Sequence, residues 1–309
     1  MSALHALLGF VAWTLLLVTL VFAYRSLRVL RGTPINGWPR GNKPASDPGF
    51  IKRAEDAHAN CLENLPIFAV IVLVAVVIVG GAEVLLRVLD VPQYIMPKPS
   101  QILLALYTEW PFLWPHLVIT LYELFVGFAI GGAIGFLLAA VITQFPFVEK
   151  IVTPYILLLV TTPMLALVPL LILRFGFGSE PRIIAVALAS GPMVMINSAT
   201  GFRRVDLAKI ALARSFGAST LQIFTKIRIP MAMPMIIVGL MVGSIFGLLT
   251  AIGAEMVGGA EGLGNRLTYY SALIRMPQFF AIILILAIIG ISIYIFFFWL
   301  GKRWASWEA

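Results

Sequence analysis

From Arg203 to Pro234 the chain reads RRVDLAKIALARSFGASTLQIFTKIRIPMAMP. The segment carries Arg203, Arg204, Lys209, Arg214, Lys226 and Arg228 against one acid, Asp206, and long apolar stretches flank it. A basic loop between membrane spans belongs on the cytoplasmic side. Leu207, Ile210, Ala211 and Ala213 recur at helical spacing, Gly217 follows, and a second helical run closes with Ile227-Arg228-Ile229-Pro230. Glycine ends helices because it enters left-handed backbone without a Cβ clash, and proline cannot extend one. The pattern predicts helix, bend at Gly217, helix, stop at Pro230. A short amphipathic pair outside a bundle suits docking by a soluble partner; a plain solvated loop carries the same charge signature.

The surroundings decide the class. Of 309 residues, 61% are hydrophobic and 12% charged, with a mean hydropathy of +0.99. No soluble domain hides that much apolar surface, and only helices or closed barrels satisfy their own backbone in lipid. The expectation is an all-α, polytopic transmembrane helical bundle. The net charge of +8 would suggest nucleic acid in a soluble protein. Here cytoplasmic loops account for it, so membrane lipid and no nucleic acid is expected. A single cysteine, Cys61, excludes an internal disulfide and a multi-cysteine zinc site, and no metal site is expected.

A span needs about 20 apolar residues. Seven candidates meet this: Leu4–Ala23, Pro66–Leu86, His116–Ile142, Ile151–Leu173, Ile183–Ala199, Met231–Ile252 and Pro277–Leu300. They make one extra N-terminal helix plus a six-helix core. With the N-terminus outside and the C-terminus cytoplasmic, sixteen Lys and Arg fall inside and six fall outside, including Arg182. The first span has no small-residue cleavage site after it and reads as a retained helix.

Several features inside the spans ask for an explanation. Gly127, Gly131 and Gly135, and again Gly239, Gly243 and Gly247, recur every fourth residue and make flat stripes for close helix packing. They serve packing within one subunit, a dimer face or a pore lining. Glu123 is an intramembrane acid: a functional group, or half of an ion pair with a neighbouring helix. Pro163 and Pro169 lie mid-span, predicting a kink beside a cavity or a partner helix. Asn197 suits a helix-to-helix hydrogen bond. Glu255 precedes a glycine-rich turn and either faces the pathway or is structural. Pro97 and Pro99 predict an extended segment, with Ser100 capping a short helix over Gln101–Glu109.

The loop around Gly217 resembles the cytoplasmic loop of permease subunits of binding-protein-dependent ABC transporters. That loop has Glu-Ala-Ala, a Gly after a three-residue gap, and an Ile-x-Leu-Pro ending. Gly217, Ala218 and Ser219 match, as do Ile227, Ile229 and Pro230; the Glu-Ala-Ala position reads Ala211-Leu212-Ala213, without the acid. The segment Asp90–Ser100, the helix Pro163-x-x-Ala166-x-x-Pro169 before Phe175-Gly176-Phe177-Gly178, Asn197, and the pair Ala254-Glu255-Met256 and Gly262-Leu263-Gly264 are similar to the nitrate, sulfonate, taurine and thiamine-precursor group. At Glu123 that group usually has a basic residue. The resemblance covers 69–309. It implies an importer subunit of the bacterial inner membrane, paired with a second permease that is expected to be a copy of itself. A separate ATP-binding cassette ATPase would dock below and a periplasmic substrate-binding protein above. It implies ATPase coupling through Ala211, Ala213, Gly217, Ala218, Ser219, Ile227, Ile229 and Pro230. Candidates for the translocation path are Glu123, Pro163, Asn197 and Glu255.

Residues 1–68 are different. Arg53-Ala54, Ala57-His58, Asn60, Glu63-Asn64, Pro66 and Phe68 resemble the first half of the MAPEG family, with Asp56 where a second arginine is usual. Members of that family have four helices, trimerise, and bind glutathione between subunits. This chain supplies the first helix and the start of the second, with Arg53, Asn60 and Glu63 at positions for residual glutathione contacts. The two parts would join within Val70–Gly80. The rival reading is a glutathione-dependent membrane transferase or peroxidase; a further one is a fused helix without a role. The chain has no Gly-x-x-x-x-Gly-Lys-Ser/Thr loop, no His-Glu-x-x-His and no Gly-x-Ser-x-Gly. The reading is therefore a non-enzymatic transporter subunit with no cofactor of its own, ATP being bound by the partner.

Overall fold

The computed structural model describes residues 77–304. The first span Leu4–Ala23, the 1–68 segment with Arg53, Asn60, Cys61 and Glu63, and the start of the second span lie outside the described residues. The chain forms two compact units, Met1–Val91 and Pro92–Ala309. In the first, residues 77–88 form a helix (α1) on which Arg87 pairs with Glu83 at 2.7 Å.

The second unit is helical throughout its described regular structure: α2 (Pro99–Gln144), α3 (Pro146–Thr161), α4 (Met164–Phe175), α5 (Glu180–Arg203), α6 (Leu207–Ser215), α7 (Thr220–Ile223), α8 (Ile229–Gly258), α9 (Leu263–Ala272) and α10 (Met276–Trp304). Among the described residues, four helical stretches are long and apolar enough to cross a membrane, and the bent pair α3–α4 makes a fifth.

Helix α5 is the axis. On one side the α2 stripe lies against it so closely that a Cβ on Gly127 would stand 2.7 Å from the Ile183 carbonyl oxygen. Gly131 and Gly135 face Ala187 and Gly191 in the same way. On the other side the α8 stripe meets it, Gly239 against Asn197 and Gly243 against Val194. Lipid provides no hydrophobic drive between helices, so backbones approach where side chains are smallest and dispersion contacts are densest. Both stripes therefore pack within the subunit. The two largest apolar clusters among the described residues lie one around Phe202, Ile142, Ile156 and Ile236, the other joining Leu113, Leu117, Leu263, Tyr270 and Ile282.

Three local expectations are corrected, and a fourth, the kink at Pro163, is sharpened. Ser100 does not cap a short helix. Lys98 is the N-cap, its N–H bonded to Gln101 Oε1 (3.0 Å), and α2 runs 46 residues through Pro111 and Pro115. The two prolines are spaced by about one turn, so their missing N–H groups fall on one side of the helix. The kink at Pro163 is a right-angle break: α3 and α4 meet at 99°, with Thr162 and Pro163 in extended backbone. The Thr161 and Thr162 hydroxyls donate back to the Leu157 and Leu158 carbonyls (2.8 and 2.6 Å), tying the last turn of α3 down before the break. Pro230 does not stop the second helix of the loop. A π-helical turn over Phe224–Arg228 widens the coil, Ile229 N–H reaches back to the Phe224 carbonyl, and α7 passes into α8 without a break. The wider turn makes room for the proline ring that would otherwise strike the carbonyl four residues back. Asn197 makes its hydrogen bond within α5, donating from Nδ2 to the Met193 carbonyl at 2.8 Å.

Candidate functional site

The elbow between α5 and α8 is held by local chemistry. Asp206 caps α6, its Oδ1 accepting from Ala208 N–H at 2.8 Å. Gly217, at φ +77°, ends it in left-handed backbone. Gly217 N–H donates to the Arg214 carbonyl (2.9 Å) and Ala218 N–H to the Ala213 carbonyl (3.0 Å). This is the paired closure that satisfies the last carbonyls of a helix. Ser219 then caps α7. Its hydroxyl accepts from Gln222 N–H and its own N–H donates to Gln222 Oε1 (2.8 Å).

The elbow has two faces. Val205, Ile210 and Ile223 are buried, with Ala213, Ala218, Ile227 and Met231 packed against them. Outward stand Leu212, Leu221, at 72% exposed, and Phe216, at 82%. Ala211 and Ser219 lie on the exposed side, and Ile229 and Pro230 are half-buried where the elbow enters α8. Periodicity alone put Leu207 and Ile210 on one face; the structure separates them, leaving Leu207 outside. Sequence reasoning missed Leu212, Phe216 and Leu221. Their signal is apolar residues out of phase with the buried stripe, in a basic loop that gains nothing from exposing them. At the base of the elbow Arg203 pairs with Glu149 at the start of α3, 2.7 Å apart.

Pro163 lines a groove of about 370 Å³ where α3 breaks into α4, with Thr162, Met164, Pro192, Phe246 and Thr250. No charged side chain lines it.

Glu123 and Glu255 come together at the opposite end of the bundle, both wholly buried. Glu123 pairs with Arg182 of α5 at 2.9 Å. Glu255 Oε1 accepts from the Thr120 hydroxyl (2.7 Å), and its Oε2 accepts from Gly264 N–H (2.6 Å). Arg182, counted above with the outer charges, is buried and also donates to the Glu261 and Gly178 carbonyls (3.1 and 3.3 Å). His116, Thr120 and Arg182 escaped the sequence reading because the partners they hold lie far away along the chain. Among the described residues no cluster of His, Cys, Asp and Glu is arranged to hold a metal. In this conformation the site residues form three groups, the elbow, the groove at Pro163 and the buried acids, and Asn197 stands apart on α5.

Residues 131–306 match the family described as binding-protein-dependent transport system inner membrane component. Residues 3–89 match the MAPEG family, a much shorter part of the chain. A Haemophilus influenzae protein named "Probable ABC transporter permease protein" is 30% identical over 212 residues, covering 69% of this chain and 86% of that one. The taurine transport system permease protein TauC of Escherichia coli is 28% identical over 220 residues, covering 69% and 80%. In fold, the chain is similar to a solved amino acid ABC transporter chain, with a TM-score of 0.55, 20% identity, and coverage of 65% of this chain and 97% of that one. The chain belongs to the inner membrane components of binding-protein-dependent transport systems.

Proposed function

We propose that this chain is the membrane-spanning permease subunit of an ATP-driven importer, and that a separate ATPase grips it at the α6–α7 elbow. The observation that carries the reading is the exposed apolar face of Leu212, Phe216 and Leu221 on an elbow capped at both ends. ATP binds in the partner. As the ATPase pair closes, the elbow is carried along, α8 turns with it, and the bundle rocks about α5 so that the path opens on the other side. Packed glycine stripes suit such motion because helices in close contact slide as bodies.

A second permease, a copy of this chain, completes the path, and a periplasmic binding protein delivers the solute. The excess of basic residues around the elbow and after the last span supports an N-terminus outside and a C-terminus in the cytoplasm of a bacterial inner membrane. The name of the taurine relative supports a small solute of the nitrate, sulfonate, taurine or thiamine-precursor kind. The permease domain covers 69–309. Its path residues are Pro163 at the groove, with Glu123, Asn197 and Glu255 as further candidates.

Purification of the tagged chain from its own host tests the reading. An ATPase subunit should copurify and be lost when Gly217 and Ala218 are replaced by valine and leucine. Retention of the ATPase in that variant, or its absence from the wild-type preparation, contradicts the proposal. The match of residues 3–89 to MAPEG favours one second reading, a glutathione transferase or peroxidase, with Arg53, Asn60 and Glu63 as ligand contacts. Turnover of glutathione with an electrophile by the chain alone would establish it.

A further inference from the structure

At the end of α5 remote from the elbow, three successive backbone N–H groups open α9, and each is taken by a side chain from another helix. Gly262 N–H donates to His116 Nδ1 (3.0 Å), Leu263 N–H to the Thr120 hydroxyl (2.9 Å), and Gly264 N–H to Glu255 Oε2 (2.6 Å). His116 and Thr120 sit one turn apart on α2, so α2 grips the turn at two points. Gly262 is at φ +100°, and a Cβ there would fall on the Glu255 carboxyl. Arg182 extends the network. It bridges Glu123 on α2, the Gly178 carbonyl in the turn after α4, and the Glu261 carbonyl in the turn after α8.

Two features set this apart from a static brace. Apolar residues would hold such a junction at least as well, because desolvating charges offsets their attraction. Buried ionic groups are best justified where a junction has two discrete states. In addition, beside its two side-chain pairs the network seizes backbone at Gly178, Glu261, Gly262, Leu263 and Gly264, in or next to turns that can hinge. Residues 258–264 contain Gly258, Gly259, Gly262 and Gly264, and the α4–α5 turn contains Gly176 and Gly178. Arg182 and Arg203 are 21 positions apart on α5, so the network lies about 30 Å from the elbow, one hydrocarbon thickness away.

We infer that His116, Thr120, Glu255 and Arg182 form a bolt that closes this end of the bundle, and that the 258–264 turn swings off α2 to admit solute from that side. The inference rests on the importer reading for the word solute, while the bolt itself does not depend on it.

Two measurements on the full chain in lipid nanodiscs or membrane vesicles test it, and neither requires an ATPase. Hydrogen exchange by mass spectrometry should find 260–266 protected in the wild type. Exchange there should be roughly tenfold faster in Glu255→Gln and in Thr120→Val, with 207–222 unchanged and Thr120→Ser restoring protection. Fast exchange in the wild type, or no response to either variant, overturns the bolt. The second measurement uses Thr250→Cys in a Cys61→Ser background. This position lines the groove at Pro163, five residues from Glu255 on α8. A membrane-impermeant maleimide should label it several-fold more in the Thr120→Val background than with the bolt intact. The labelling should come from the side that also labels the exposed Ser271→Cys. Equal labelling in both backgrounds, or a gain from the opposite face, overturns the gating role. Absence of a copurifying ATPase would count against the importer reading and leave both readouts standing.

Discussion

Arg182 of α5 and Glu123 of α2 meet at 2.9 Å with both side chains buried. Among the described residues, Arg182 is the one cation placed against two buried acids, Glu123 and Glu255. Replacing it by methionine leaves both without an opposite charge, and breaking a buried pair from one side costs about 3–5 kcal/mol. Thermal unfolding in detergent should show Arg182→Met to be severely destabilised. The double variant Arg182→Met/Glu123→Leu should recover part of the loss, because the second change removes one orphaned charge.

The glycines of α2 are not equivalent. A Cβ on Gly127 would lie 2.6 Å from the Val186 Cβ and 2.7 Å from the Ile183 carbonyl, whereas one on Gly132 meets nothing closer than 3.8 Å. Gly127→Val should therefore destabilise the bundle by about 1–3 kcal/mol through overpacking. Gly132→Ala should be neutral or gain up to about 1 kcal/mol from the better helix former. Melting temperatures of the two variants, measured side by side, check the contrast.

On the elbow, surface chemistry and backbone geometry can be separated. Phe216→Asp alters an exposed side chain and should change thermal stability by no more than about 0.5 kcal/mol, yet abolish copurification of an ATPase. Gly217 has open space around it but positive φ. Gly217→Asn, which tolerates left-handed backbone, should keep the ATPase; Gly217→Val, at a cost of about 1–2 kcal/mol in that conformation, should lose it.

Tyr270 of α9 is buried and donates to Glu109 Oε2 at 3.1 Å. Burial, and then the Glu109 carboxylate, push its phenol up to about 12 from the usual 10. The folded state thus holds the proton more tightly than the unfolded one. The stability this contributes is complete below pH 10 and is lost as pH rises from 10 to 12. The stability difference between wild type and Tyr270→Phe, followed over pH 8–12, should be constant to pH 10 and then decline. A difference that grows above pH 10 would contradict the assignment.

The parts legible in the sequence were those set by local rules. Among the described residues, apolar length revealed the spans, charge revealed the elbow, Gly217 revealed its bend, and four-residue spacing revealed the stripes on α2 and α8. Glu123 was legible as half of an ion pair, but its partner was not. The bonds that tie α2 to α8 and α9 in the buried network join residues 135 to 146 positions apart, Thr120 to Glu255 and His116 to Gly262, and no window along the chain contains both members. Pro230 misled for the opposite reason. A proline rule written for α-helices does not foresee a π-helical turn that gives the ring room. The angle at Pro163 was likewise out of reach, because a proline says that a helix breaks and only its neighbours say which way the next segment goes.

The π-helical turn has a mechanical meaning. Because it carries α7 into α8 unbroken, Thr220 and Gly258 are the two tips of one 39-residue rod, about 58 Å long. Near one tip sits Leu221, near the other Glu255. A motor pressing on Leu221 moves the near tip of a beam pivoted on α5, and a few degrees of tilt there become ångströms of travel at the carboxylate. The same strip of backbone that receives the stroke would then draw the bolt, with no intermediary between them.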